Sequence, residues 1–305
     1  ISIVTNPGGY PAEYMPRRFY RMGAVRECQS PAQIRRTVRR LARVGVSAIK
    51  TAVVSRTFDG KPVRGWSDAQ LNALTDEAHR HGLMVCAHLT YAADYVQAAR
   101  CGVDSVHHAA FDGVITDRVA DELIEAGVVF VPTLSLASLL IDGMQHRWGD
   151  DPQFTAGLPP ALVRNMREFT THYEQCPPDE PVPGFFVSLP KREWEAVPEN
   201  QLRNVATYIE RGGTIALGTD SALGFSLHGT PVREMELMVE AGLNTVEAIQ
   251  AAGQNAARVF SHKENIGTIT PGALADCLLV PAEITESMTH LADISTVIQG
   301  GKVIR

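Results

Sequence analysis

Five times in this chain an amphipathic helical stretch closes on glycine and gives way to a short, apolar, β-branched run. SPAQIRRTVRRLARVG leads into VSAIK, DAQLNALTDEAHRHG into LMVCAH, YAADYVQAARCG into VDSVHH, ITDRVADELIEAG into VVFVPTL, and PENQLRNVATYIERGG into TIALGTD. Helix, glycine and strand repeated with one punctuation predict parallel strands joined by crossover helices. Runs apolar on both faces require a sheet covered on both sides. The fold class is therefore α/β, and a (β/α)8 TIM-type barrel is the expected architecture, with about five of its eight βα units visible. An open five-stranded sheet is the alternative on count alone, but the glycine-rich phosphate turn of a nucleotide-binding version is missing.

Chemistry-bearing residues fall at the carboxyl ends of four of these runs: Lys50, His88, the doublet His107-His108, and Asp220. In a barrel, those ends are where a site is assembled. Imidazoles, a carboxylate and a lysine convertible to a carbamate form a ligand set for a divalent metal. Each has a plainer reading alone: Lys50 as a side chain reaching to water, His88 as a hydrogen-bonded core histidine, Asp220 as a helix N-cap. Their shared placement favours the site. Neighbouring strand residues point to opposite faces, so one of His107 and His108 is expected to face inward.

Composition narrows the function classes. The chain has 305 residues, a formal net charge of −6 and an isoelectric point near 5.9, which argues against a nucleic-acid partner. The arginine-rich RRTVRRLARVG reads as a solvated helix face. No apolar stretch approaches the roughly 18 residues of a membrane span. Five cysteines, Cys28, Cys86, Cys101, Cys176 and Cys277, lack CxxC spacing, which fits reduced thiols and a cytoplasmic location. A small-molecule substrate and a homo-oligomer are expected. Residues 134–197, with Trp148, Trp194 and a proline-rich DDPQF…CPPDEPVPGFF stretch, are expected to form a lid-like insertion in a barrel spanning 1–262. Residues 263–305 read as short strands of a small β domain.

The segments GTDS, PVREMELMVEAGLNTVEAIQAAGQNAARVF, IGTITPGALADCLLV and VIQGGKVIR closely resemble the carboxyl-terminal half of the metal-dependent amidohydrolase superfamily. The likeness is to the branch holding imidazolonepropionase-related and prolidase-like or Xaa-Arg dipeptidase-like hydrolases, and covers most of the chain from Ser30 onward. The resemblance implies that Lys50 is a carbamylated bridge between up to two ions, Zn2+ first among them, with His88, His108 and Asp220 as further ligands. It also implies hydrolysis of an amide, peptide-like or cyclic amide bond, with Asp220 as general base and acid. A mononuclear deaminase, or a lactone, carbamate or phosphoester hydrolase, is the alternative within the enzymes, and a catalytically silent scaffold outside them. Relatives carry a His-x-His pair on their first strand, and none occurs here. With the absent initiator Met, this leads to the expectation that roughly a hundred residues precede this segment. His228, Tyr10, Tyr14, Trp148 and Arg147 are candidate substrate contacts.

Overall fold

The computed structural model describes residues 2–11, 15–57, 60–183, 189–222, 224–229, 231–259 and 265–305. Seven parallel strands form one sheet in the order β2-β1-β3-β4-β5-β6-β7. They are β1 (Ser2–Thr5), β2 (Val25–Glu27), β3 (Ala48–Ala52), β4 (Met84–His88), β5 (Ser105–His107), β6 (Val129–Val131) and β7 (Thr214–Ile215). The last five are those the helix–glycine–strand repeat predicts. Two more precede them, and β2 lies outside β1 at the sheet's end, so spatial order departs from chain order there. These two are too short, and too poor in flanking helical pattern, to stand out in the sequence.

Local chemistry explains the crossovers. Ser30 accepts a hydrogen bond from the Gln33 amide and Pro31 occupies the first helical position, starting the helix Pro31–Val44, which Gly45 ends at φ 83°. The next helix, Asp68–Arg80, is capped by Ser67. Ser67 and Gln70 exchange reciprocal side-chain bonds to each other's backbone, so Asp68 becomes the first helical residue.

Strand register separates two kinds of sheet face. One row of residues, Ile49, Val85, Val106, Phe130 and Ile215, packs against Ile34, Val38, Leu71, Leu74, Tyr95, Leu123 and Tyr208 in the main core. Each such side chain contributes roughly 1.5–3 kcal/mol by leaving water. The alternate row, Ala48, Cys86, Val129, Val131 and Ala216, forms a smaller inner cluster with Val259. Lys50 and Ser105 pair in register with Cys86, so they share this inner face. Small inner residues leave room for the polar side chains among them.

Beyond β6 the chain builds a second core. The helices Leu134–Gln145, Pro160–Gln175 and Val197–Glu210 gather Met144, Met166, Tyr173, Trp194 and Val197 around Phe111 and Phe225. The 134–197 segment is thus largely helical. At the chain's end a three-stranded antiparallel sheet, β8 (Cys277–Leu279), β9 (Thr296–Gln299) and β10 (Lys302–Val303), runs in the order β10-β9-β8. Gly300 and Gly301, at φ 55° and 76°, form the two-residue turn between β9 and β10 that favours such residues. Ile284 and Met288 tie this region to Met235 and Ala248. Among the described residues, no helix is long and apolar enough to cross a membrane.

Candidate active site

The carboxyl ends of β3 to β7 open into a cavity of about 200 Å³ lined by Lys50, His107, His108, Val131, Thr133, Leu217, Gly218, Asp220, Ala256 and Val259. Gly218 is required there, because a Cβ at this position would lie 2.5 Å from a methyl of Val131. The polar groups come in layers. His88 and His107 pair in register at the ends of β4 and β5. Lys50 sits one layer deeper, paired with Cys86, because β3 continues two residues beyond it to Ala52. The lysine is therefore mid-strand rather than at the strand's end, and its long aliphatic stem bridges the difference in height. Asp220 lies five residues past the last residue of β7 and is exposed at the mouth.

His107 and His108 both line the cavity. Alternation along β5 places His107 on the inner face with Lys50 and His88, although the resemblance implies His108 as the inward member of the pair. His108 follows the strand's end in the left-handed region at φ 70°, which breaks the alternation and returns its side chain to the same space. Its ring stands edge-on to that of His88, with centroids 4.5 Å apart. Tyr10 stacks on His88 at 4.0 Å with an interplanar angle of 20°.

Each imidazole has one nitrogen beside a hydroxyl. His88 Nε2 lies 3.0 Å from Thr90 Oγ1, His107 Nε2 3.0 Å from Ser105 Oγ, and His108 Nδ1 2.8 Å from Thr133 Oγ1. Such contacts fix ring orientation. Electrostatics keeps the rings neutral: burial, followed by the neighbouring His108, Lys50 and His107, pushes His88 well below the usual histidine range. Burial, Lys50 and His108 do the same to His107. Burial lowers His108 to about 4, with Asp220 pulling it up and Lys50 down. Burial also lowers the Lys50 ammonium to about 8, against the opposing pull of Cys86 and Asp220.

The structure thus brings together Lys50, His88, His108, Asp220 and Tyr10, all singled out in the sequence. It also brings in His107, the other member of the doublet, and the cavity-lining Thr133, which no sequence pattern marks. His228 is exposed and does not line the cavity. Trp148 packs on Phe154 and Phe225 in the second core, at centroid distances of 5.0 and 6.3 Å. Arg147 pairs with Asp150 at 2.8 Å and with Glu174. Neither reaches the cavity, so their substrate-contact reading finds no support in their placement. Tyr14 lies outside the described residues. Among those described, no three His, Cys, Asp or Glu side chains form a group able to hold a metal ion. Lys50 stands outside that set of residue types. Judged by donor chemistry, the fit is good: neutral imidazoles, a carboxylate and an amine depressed towards neutrality surround one space.

A parallel α/β fold of TIM-barrel type with such a cluster at the strands' carboxyl ends defines a class of enzyme-like folds. Residues 3–304 match the amidohydrolase family, and the chain belongs to it. It is 25% identical to an ochratoxinase of Aspergillus niger over 285 residues, covering 90% of this chain and 49% of that protein. The chain thus spans about half the length of the curated relatives it matches. The crystal structure of A. niger ochratoxinase superimposes with a TM-score of 0.73 at 20% identity, covering all of this chain and 64% of that one. A Xaa-Pro dipeptidase with methionine bound in its active site gives 0.71 at 22%, covering 99% and 66%. These structural likenesses establish the fold.

Proposed function

We propose that this chain forms the site of a hydrolase that cleaves a C–N bond, amide, peptide-like or cyclic amide, in a small molecule. The observation that carries the reading is the gathering of Lys50, His108 and Asp220 at one cavity, with the His88 ring against that of His108, the imidazoles held neutral and the lysine lowered to about 8. Membership of the amidohydrolase family, with ochratoxinase and prolidase-like proteins among the relatives, supports an amide as the target. Lys50 as a carbamate, His88, His108 and Asp220 would hold up to two divalent ions, Zn2+ being the best match to imidazole and carboxylate donors. When bound, such an ion supplies an activated water and polarises the scissile carbonyl.

The chain's own residues prepare and complete the chemistry. At neutral pH roughly a tenth of Lys50 is the free amine, which adds to carbon dioxide through a new N–C bond and releases one proton. The product carries one negative charge and two oxygens. The hydroxyls of Thr90 and Thr133 hold the imidazoles in orientation. Asp220, exposed at the mouth, would accept a proton there and return it to the departing nitrogen. Tyr10, stacked on His88, forms a wall against which a substrate side chain can lie.

The test is a panel of dipeptides, N-acyl amino acids and lactones, assayed with Zn2+ and bicarbonate on this chain and on its complete gene product. Amide turnover that Lys50→Arg abolishes is expected. Turnover of lactones alone, equal turnover by the Lys50→Arg protein, or no turnover of any amide by the complete gene product overturns the reading.

A further inference from the structure

Glu234 is a carboxylic acid with no exposed surface, and the chemistry proposed above does not use it. It lies on the helix Pro231–Glu240, which follows the Asp220 loop, yet its carboxylate reaches the start of the helix Leu134–Gln145. There Oε1 accepts a hydrogen bond from the Leu134 amide at 2.9 Å and Oε2 one from the Ser135 amide at 2.7 Å. These are two of the orphan donors that every helix leaves at its amino end, and a negative charge is favourable there. The residue in the N-cap position, Thr133, makes no capping bond. Its backbone is left-handed, at φ 52° and ψ 44°, an unusual conformation for a β-branched residue that costs of order 1–3 kcal/mol and persists only where the surroundings enforce it. The Thr133 hydroxyl lies instead 2.8 Å from His108 Nδ1. Other bonds anchor the His108 backbone, whose N–H donates to Val131 O at 3.0 Å and whose carbonyl accepts from the Tyr95 hydroxyl at 2.6 Å. The Thr133 hydroxyl is the side-chain partner of the His108 ring.

We propose that Glu234 is a positioning residue for His108: by capping the helix Leu134–Gln145 in place of Thr133, it leaves the Thr133 hydroxyl to accept from His108 Nδ1–H. His108 is then locked in one tautomer, with the Nε2 lone pair as its second nitrogen. A threonine that capped its own helix would turn its hydroxyl towards the Ser135 and Leu136 amides of the first turn and away from the imidazole. The arrangement also links the two sides of the cavity, because Glu234 belongs to the element after Asp220 while Thr133 and His108 belong to the ends of β6 and β5. The inference rests on the reading of His108 as a site residue, but its test needs neither metal nor substrate.

The experiment is nitrogen-15 NMR of the histidine rings in the metal-free full chain, with the His108 signals assigned by their loss in His108→Asn. A single Nδ1–H tautomer is expected for the unmodified chain and for Thr133→Ser. Thr133→Val and Glu234→Gln are each expected to give a tautomer mixture, since Gln offers one acceptor where two amides need one each. In the Thr133→Val background, Glu234→Gln should cause no further change, the non-additivity that marks a shared route. Should Glu234→Gln not fold, Glu234→Asp withdraws the carboxylate by one methylene and reads the same signal. The proposal is overturned if the Glu234 variant lowers the melting temperature but leaves the His108 tautomer as it was, if Thr133→Val leaves it unchanged, or if the ring carries its proton on Nε2 throughout. Absent hydrolysis with an intact tautomer effect would count against the hydrolase reading and not against this one.

Discussion

Lys50 is the residue whose chemistry depends most on its surroundings. An ammonium in this setting loses hydration without gaining a full counter-charge, and its lowering to about 8 follows. Competitive labelling with acetic anhydride, read by mass spectrometry with exposed Lys302 as reference, should find Lys50 half-reactive near pH 8. Reactivity that rises only above pH 10 would remove the basis for carbamate formation. Because Arg keeps its proton at any working pH, Lys50→Arg should lower activity by at least about 100-fold, more than the loss typical of a merely supporting contact. The histidines make a separate demand on stability. His108 has a folded-state value of about 4, below that of an unfolded histidine, so the folded state binds fewer protons as acid is added. Its contribution is fully present above pH 6.5 and is lost as pH falls towards 4, on the order of 3 kcal/mol. Denaturant titrations across that window should show the decline, and His108→Leu should flatten it. A profile identical in the two proteins would show that another group governs acid stability.

At the scale of single elements, the loop behind the histidine doublet is held by one helix. From Val197–Glu210, Asn200 Nδ2 donates to Phe111 O at 3.0 Å and Gln201 Nε2 to Ala109 O at 3.1 Å. Asn204 Oδ1 accepts from the Ile115 amide at 2.6 Å while its Nδ2 reaches Gly113 O at 2.9 Å. Asn204→Leu deprives buried backbone groups of both partners and should destabilise the protein by about 2–4 kcal/mol in urea unfolding. A loss below 0.5 kcal/mol would mean that the loop holds its shape without this clamp. These contacts are long-range, which is why nothing in ITDRVADELIEAG or PENQLRNVATYIERGG announces them. Helix starts and stops were legible because Ser30, Pro31, Gly45 and Gly82 act within a turn of themselves. The ends of strands were less so: β3 passes Lys50 by two residues, while β7 stops at Ile215, well short of Asp220. Pairing with neighbours, not local composition, sets where a strand ceases.

For the molecule as a whole, the parallel α/β architecture could be read from period and punctuation, since a repeated helix–glycine–strand pattern has few other solutions. That both histidines of the doublet face the cavity could not, because the left-handed turn at His108 has no signature when the residue is not glycine or asparagine. Nor could Thr133 and Glu234, which gain meaning only through a contact spanning about a hundred residues of chain. Binding of an ion at the cavity would couple to global stability, as any ligand of the folded state does. Adding Zn2+ at a hundred times its dissociation constant should stabilise the chain by about 2.7 kcal/mol, and a chelator should reverse this. A melting temperature indifferent to both would mean that these residues hold no such ion in the chain as it stands.

On the inner wall of the sheet, beside Val129 and Val131, stand Ala48, Cys86, Ser105 and Ala216, side chains of almost minimal reach. Their shortness leaves room on that face for Lys50 and His107. An extra branch on this floor would lift the lysine's tip towards the opening and shorten the longest guest able to lie there. Steric selectivity is thus adjustable from below, by residues that never meet solvent.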